Sequence, residues 1–251
     1  MASDKQPDQA QHESMERPAV AVDVALFTLA DESERRRQLQ VLLTRRREEP
    51  FAGRWCLPGD WVRHSELLDH VALRELAAAG VDDMYLEQLY TFDRLERDPR
   101  QRVISVAYFA LLRADARARL ALNDSTDARW WNLGELPQPL AFDHHDILRV
   151  AVDRLRSKLE YTTLAFLLLP EVFTLPDLKQ TYETILGEEL DRGNFYRKIK
   201  EAGLLEPTGR RRESGGRPAA LYCFRADRSG GDFVFRWREA RSAPRAKTDT
   251  P

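Results

Sequence analysis

The sequence predicts an α/β sandwich followed by a winged helix-turn-helix domain, and three observations carry that expectation. From Ala19 to Leu133, short apolar runs of strand type alternate with at least one stretch of helical composition. From Asp143 to Leu159, apolar residues recur at helical spacing, as a connecting helix requires. Beyond it stand two short capped helices and an Arg-rich, Gly-rich hairpin, where positive charge collects.

The elements follow in order. Ala19 to Leu29 is Val, Ala, Leu and Phe with one Asp, a buried strand, and Asp31 to Arg37 reads as a turn or loop. Leu39 to Leu43 is a second strand. Pro50 to Gly53 punctuates before Trp55-Cys56-Leu57. Glu66 to Ala79 has helical composition, with Leu67, Val71, Leu73 and Leu76 available to pack inward and Gly80 as its stop. Leu86 to Phe92 and Val103 to Leu112 are strands joined by a charged turn, and Ala128 to Leu133 is a short strand. In the connecting helix Ile147, Leu148, Ala151, Leu155 and Leu159 share a face, and Asp143 is placed to cap the start.

Composition bounds what such a chain does. At 251 residues, 43% hydrophobic and 32% charged, it has room for two modest domains with real cores. A net charge of −2 excludes a uniformly basic nucleic-acid binder but leaves room for a local basic patch. Cys56 and Cys223 lack metal-ligand spacing, so a reducing cytoplasm is expected. Residues 1–18 are polar, with no apolar core, and predict a disordered tail rather than a signal peptide. The longest clean apolar run, Leu164 to Leu169, is too short to span a bilayer, so no membrane partner is expected.

Leu57-Pro58-Gly59-Asp60 through Glu66 to Arg74-Glu75-Leu76 reads as a Nudix box, G-x5-E-x7-R-E-U-x-E-E-x-G-U with U aliphatic. In such a box the Glu after Arg and the Glu pair three and four residues on share one helix face, where they hold a divalent cation against a pyrophosphate. Glu66, Arg74 and Glu75 fall in register. Asp60 replaces the first Gly, and Ala78 and Ala79 replace the Glu pair. One carboxylate does not offset the dehydration of Mg²⁺, so the box reads as vestigial, with no catalytic residue, no metal site and no cofactor.

Pro50 to Gly59, Arg97-Asp98-Pro99-Arg100-Gln101-Arg102-Val103 and Leu140 to His144 resemble the Nudix-related transcriptional regulators. So do Leu159-Glu160-Tyr161, Phe173-Thr174-Leu175, Asn194-Phe195 and Gly216-Arg217-Pro218. The resemblance spans Ala19 to Phe224. It implies an α/β Nudix sandwich that binds an effector such as ADP-ribose, and a winged helix that binds operator DNA, in bacterial repressors of NAD metabolism.

An ADP-ribose pocket needs cations for the pyrophosphate and a flat surface for adenine. Arg54, Arg100 and Arg102 are candidates for the charge, and Phe51 and Trp55 for stacking. A solvated turn or a salt bridge is the competing reading of those arginines. His144-His145-Asp146 invites a metal reading, but capping or packing is expected of histidines at a helix start.

In the C-terminal half, Thr174 and Asp177 form a capping-box pair, with Pro176 in the first turn and Leu175, Leu178, Tyr182 and Ile185 as the buried stripe. Asp191 caps the next helix, with Phe195, Ile199 and Ala202 on one face. Between Arg192 and Arg225, nine Lys and Arg face three Glu. That is the electrostatic footprint of DNA binding. The second helix would read the major groove through Asn194, Tyr196 and Arg197, with Lys198 and Lys200 nearer phosphates. Arg210, Arg211, Arg212 and Arg217 belong to the wing loop, Thr208 to Pro218.

The sequence therefore predicts residues 19–142 as a Nudix-like effector domain, 143–159 as a connecting helix, 160–226 as a winged helix, and 227–251 as a tail. The expected function is a cytoplasmic, homodimeric, DNA-binding transcriptional regulator, a repressor, sensing a nucleotide metabolite such as ADP-ribose. The alternatives are a Nudix pyrophosphohydrolase acting on a nucleoside diphosphate derivative, and a DNA-binding protein whose Nudix domain only dimerises.

Overall fold

One long strand, β1 (Ala19–Ser33), runs through the N-terminal half of the molecule. The computed structural model describes residues 17–33, 36–119, 127–213 and 218–225. Strand alternation sends Val22, Val24 and Leu26 to one face and Ala25, Phe27 and Leu29 to the other, and all six are buried. A strand buried on both sides reads as a continuous apolar run, which is why Ala19 to Leu29 shows no polar alternation.

Around β1 a seven-stranded mixed sheet assembles. β2 (Arg36–Arg45) is antiparallel to the second half of β1, and β4 (Gly59–Trp61) to its first half. β6 (Val103–Leu111) is parallel to β1 from Ala19 to Phe27. β3 (Trp55–Cys56) and β7 (Ala128–Asn132) extend β2, and β5 (Tyr85–Phe92) lies outside β6. Helix α1 (Leu68–Ala78) covers one face with Val71, Ala72 and Leu76, while α2 (Ala114–Arg119) is a short helix after β6. Helix α3 (His144–Lys158) covers the other face with Ile147, Leu148, Ala151 and Leu155.

Several local expectations differ from the structure. β1 and β2 reach into the expected loop Asp31 to Arg37, leaving residues 34 and 35 outside the described set. Leu73 is 42% exposed, because Val71, Ala72 and Leu76 define a stripe on the other side of α1, and Leu67, 62% exposed, precedes the helix as its extended N-cap residue. Asp143 stands at the N-cap of α3 without capping it, since its carboxylate is taken by Arg97. Helix α2 has no apolar stripe to announce it.

The same apolar cluster continues from α3 into the second lobe. A 3₁₀ turn, Leu164–Leu168, leads to β8 (Phe173–Thr174) and helix α4 (Leu175–Leu186). Both arms of the Thr174–Asp177 capping box are formed, and Gly187 ends α4 at φ 73°. Helix α5 (Arg192–Ala202) is capped by Asp191 and ends at Gly203, φ 65°. β9 (Leu205–Arg212) and β10 (Ala219–Phe224) complete a three-stranded sheet in the order β8-β10-β9. Arg210, Arg211 and Arg212 thus stand on a strand rather than in the expected loop. Of the expected tails, 1–18 and 227–251, only residues 17 and 18 are described, and Arg217 also lies outside the described residues. The molecule is an α/β sandwich built on a seven-stranded mixed sheet, followed by a lobe of two helices and a three-stranded sheet.

Candidate functional site

Period-two alternation turns Asp23 to the face that α3 covers, and a buried polar network forms there. Arg97 Nη2 donates to Asp23 Oδ2 (3.1 Å) and to Asp143 Oδ1 (2.8 Å), and Ser105 Oγ donates to Asp23 (2.5 Å). His144 Nδ1 accepts the Leu57 N–H (2.8 Å), so the other ring nitrogen, 3.3 Å from Asp23 Oδ1, carries the proton. Burial alone would push the Asp23 carboxyl up; His144, Arg97 and Ser105 outweigh it and hold it well below the usual carboxylate range. Gly59 is required beside it. A Cβ at that position would strike the Val22 carbonyl and lie 2.6 Å from Asp23 Oδ1.

Above this network lies a cavity of about 200 Å³ lined by Arg46, Arg97 and Arg100, by the carboxylates of Asp23, Glu48, Asp60 and Asp98, and by Trp61, Phe142 and His144. A second, of about 360 Å³, shares Arg97 and Phe142 with it and is lined by Phe51, Arg94 and Asp146. Taken together they enter the size range of small-molecule sites, roughly 300–1,000 Å³. Arg46 sits over the Phe142 ring (4.7 Å) and donates to the carbonyls of Pro50 (2.8 Å) and Glu48 (3.4 Å). Arg100 sits over Trp61 (5.0 Å) while paired with Asp98 (2.7 Å).

Phe51 and Phe142 touch edge to face at 5.0 Å, and both hold left-handed backbone, φ 69° and φ 52°. Among the described residues they are the only non-glycine positions with positive φ. Both line the second cavity, and Phe142 lines the first as well.

Of the residues proposed from the sequence, Phe51 and Arg100 line these cavities. Arg54 stacks on the Phe51 ring (5.0 Å). Trp55 packs against Trp131 (5.4 Å), and Arg102 donates to the carbonyls of Asp93 and Arg94. Sequence reasoning passed over Asp23, Arg46, Trp61, Arg97 and Phe142 as site residues. The signal for Asp23 was present: a lone carboxylate in an otherwise apolar strand.

The box is closed on itself. Arg74 donates to Asp60 (3.0 Å), Glu66 (3.2 Å) and Glu75 (2.7 Å). Burial and the Asp60 charge push Glu75 up from the ordinary carboxylate range. Ala78 and Ala79 stand where two further carboxylates are needed, and among the described residues no group of three or more His, Cys, Asp or Glu is placed to hold a metal ion. The residues here do not fit the divalent cation of a Nudix hydrolase. Asp60 and Glu66 serve instead as partners for Arg74, bracing α1 against β4.

The second candidate surface is the outer face of α5 and the wing. Phe195 and Ile199 are buried, which turns Asn194, Arg197 and Lys200 to solvent, with Tyr196 and Lys198 half-buried at the edge. Arg197 is held by Glu201 (3.0 Å) and by Asn194 Oδ1 (2.8 Å). Arg210 and Arg211 are exposed on β9, whereas Arg212 turns back to Asp177 at 2.6 Å. Exposed cations on a short capped helix beside a two-stranded ribbon suit a duplex backbone and groove. Among the described residues, no helix is long and apolar enough to cross a membrane.

Comparison with known proteins gives both halves a match. Residues 19–151 match the NUDIX domain, and residues 165–224 the NrtR DNA-binding winged helix domain. Over 236 residues the chain is 36% identical to the ADPR responsive transcriptional repressor NtrR of Acinetobacter baylyi, covering 92% of this chain and 90% of that one. Over 133 residues it is 31% identical to the ADP-ribose pyrophosphatase of Methanocaldococcus jannaschii, covering 53% of this chain and 72% of that one. The crystal structure of Shewanella oneidensis NrtR complexed with a 27mer DNA superposes with a TM-score of 0.76 at 38% identity, over 86% of this chain and 98% of that one.

Proposed function

The chain belongs to the NrtR family of transcriptional repressors, with a Nudix domain ahead of a winged helix, and on that premise we propose that it is a DNA-binding repressor whose operator affinity is set by ADP-ribose or a related nucleotide. The observation that carries this is the pocket. A Nudix fold keeps an arginine- and aromatic-lined cavity while lacking the carboxylates that would turn a bound pyrophosphate into a substrate.

Residues 19–142 form the effector domain, 143–159 the connecting helix and 160–226 the DNA reader. Arg46 and Arg100 face the pyrophosphate, and the rings of Phe51, Phe142 and Trp61 offer flat surfaces for a base. Arg54 supports the Phe51 ring. Asn194, Tyr196 and Arg197 read base edges, with Lys198, Lys200, Arg210, Arg211 and Arg217 on phosphates. Two copies, acting in the cytoplasm, read a palindromic site. Ligand binding lowers operator affinity by favouring a placement of the reading domains that DNA does not select.

The competing reading, a pyrophosphohydrolase, is separated by one pair of measurements. Calorimetry with ADP-ribose is expected to show saturable binding, and incubation with Mg²⁺ or Mn²⁺ to yield no AMP. Sustained AMP release would make the domain an enzyme and overturn the sensor reading.

A further inference from the structure

Two rigid elements leave the pocket and end on the same helix of the DNA-reading lobe. Strand β2 finishes at Arg45, one residue before pocket-lining Arg46. Its other end, about 30 Å away at strand rise, carries Arg37. Arg37 Nη1 donates to Thr181 Oγ1 (3.2 Å) and to the Asp177 carbonyl (3.4 Å), and Thr184 Oγ1 donates back to the Arg37 carbonyl (3.4 Å). Helix α3 begins at pocket-lining His144, and its Arg156 Nε donates to the Ile185 carbonyl (2.9 Å). Asp177, Thr181, Thr184 and Ile185 all belong to α4.

Asp177 is itself shared. Its carboxylate accepts the Thr174 N–H (2.8 Å) and two hydrogen bonds from the wing's Arg212 (2.6 and 2.8 Å), and lies 3.5 Å from Arg37 Nη2. The Arg37 and Asp177 side chains are only 7% and 11% exposed. Of these partners of Asp177, Arg37 is the one that comes from β2, so its contact is the one that a shift of β2 against α4 changes.

We propose that Arg37 is a positioning residue: through Asp177 it joins the effector domain to the wing, so that α4 transmits pocket occupancy to the placement of Arg212 and β9. This rests on the ADP-ribose reading above. Arg37 touches neither the pocket nor the outward face of α5, so its effect is on coupling rather than on either ligand alone.

The test is the ratio of operator Kd with and without saturating ADP-ribose, read by fluorescence anisotropy on full-length protein, beside the ADP-ribose Kd from calorimetry. Wild type is expected to show a ratio of about tenfold or more. Arg37→Ala is expected to keep the ADP-ribose Kd and to lower the ratio at least about threefold; Arg37→Lys, which keeps the charge, is expected to restore much of it. If Arg37→Ala does not fold, Arg37→Gln reads the same ratio. A wild-type ratio of one refutes the effector reading itself. A wild-type ratio that the Arg37 variants leave unchanged refutes only the coupling role.

Discussion

Asp23 shows what one residue contributes to this site and how little of it a sequence displays. A lone carboxylate in an apolar strand is visible, and so is the face to which alternation sends it. Its partners are not: Arg97 is 74 residues away, and the loop and helix that deliver Arg97 and His144 are set by tertiary packing. Replacing Asp23 with Asn removes one of the two carboxylates that hold buried Arg97, and a hydrogen bond to a charged group contributes about 1.5–3 kcal/mol. Urea unfolding is expected to show that loss. The pH dependence follows from the sign of the shift. Asp23 titrates lower in the native state than in the unfolded chain, where an Asp has a pKa of about 3.9. Its contribution is therefore fully present above that value and lost as pH falls toward the native pKa. The urea midpoint is expected to drop in acid, and less steeply in Asp23→Asn. Gly59→Ala, which forces a Cβ onto the Val22 carbonyl and Asp23, is expected to abolish ADP-ribose binding in calorimetry.

At the scale of elements, what was legible was local. The Thr174–Asp177 box and the Asp191 cap are fixed by residues three apart, and each forms as expected. Thr174→Ala is expected to cost about 1 kcal/mol through loss of the cap, seen in thermal unfolding. What depended on neighbours was misplaced. Leu73 faces solvent because the sheet meets α1 through Val71, Ala72 and Leu76, and Leu67 does so because the helix starts only at Leu68. The wing arginines look like loop residues until β10 pairs with them, and pairing then leaves Arg210 and Arg211 outward while Arg212 holds Asp177. Arg210→Ala with Arg211→Ala is expected to flatten the salt dependence of operator binding, by about 0.9 in slope for each phosphate that is no longer neutralised. An unchanged slope would remove these two residues from the interface.

At the scale of the whole molecule, one apolar cluster runs from the sheet through α3 into the winged helix, so the two lobes do not pack as independent bodies. Helix α3 spans 15 residues, about 22 Å at helical rise, and ties the pocket at its first residue to α4 near its last. The Nudix box identifies the fold; Ala78 and Ala79 stand where its paired carboxylates would be, and Arg74 is held by Asp60, Glu66 and Glu75. The central claim, that a nucleotide in this pocket governs the grip on DNA, is tested most directly by titrating full-length protein onto a duplex from upstream of its own gene at fixed salt, with and without ADP-ribose. Tight binding that weakens about tenfold or more as ADP-ribose saturates is the expected result. Operator affinity that ADP-ribose leaves unchanged, although calorimetry shows the ligand bound, would contradict it.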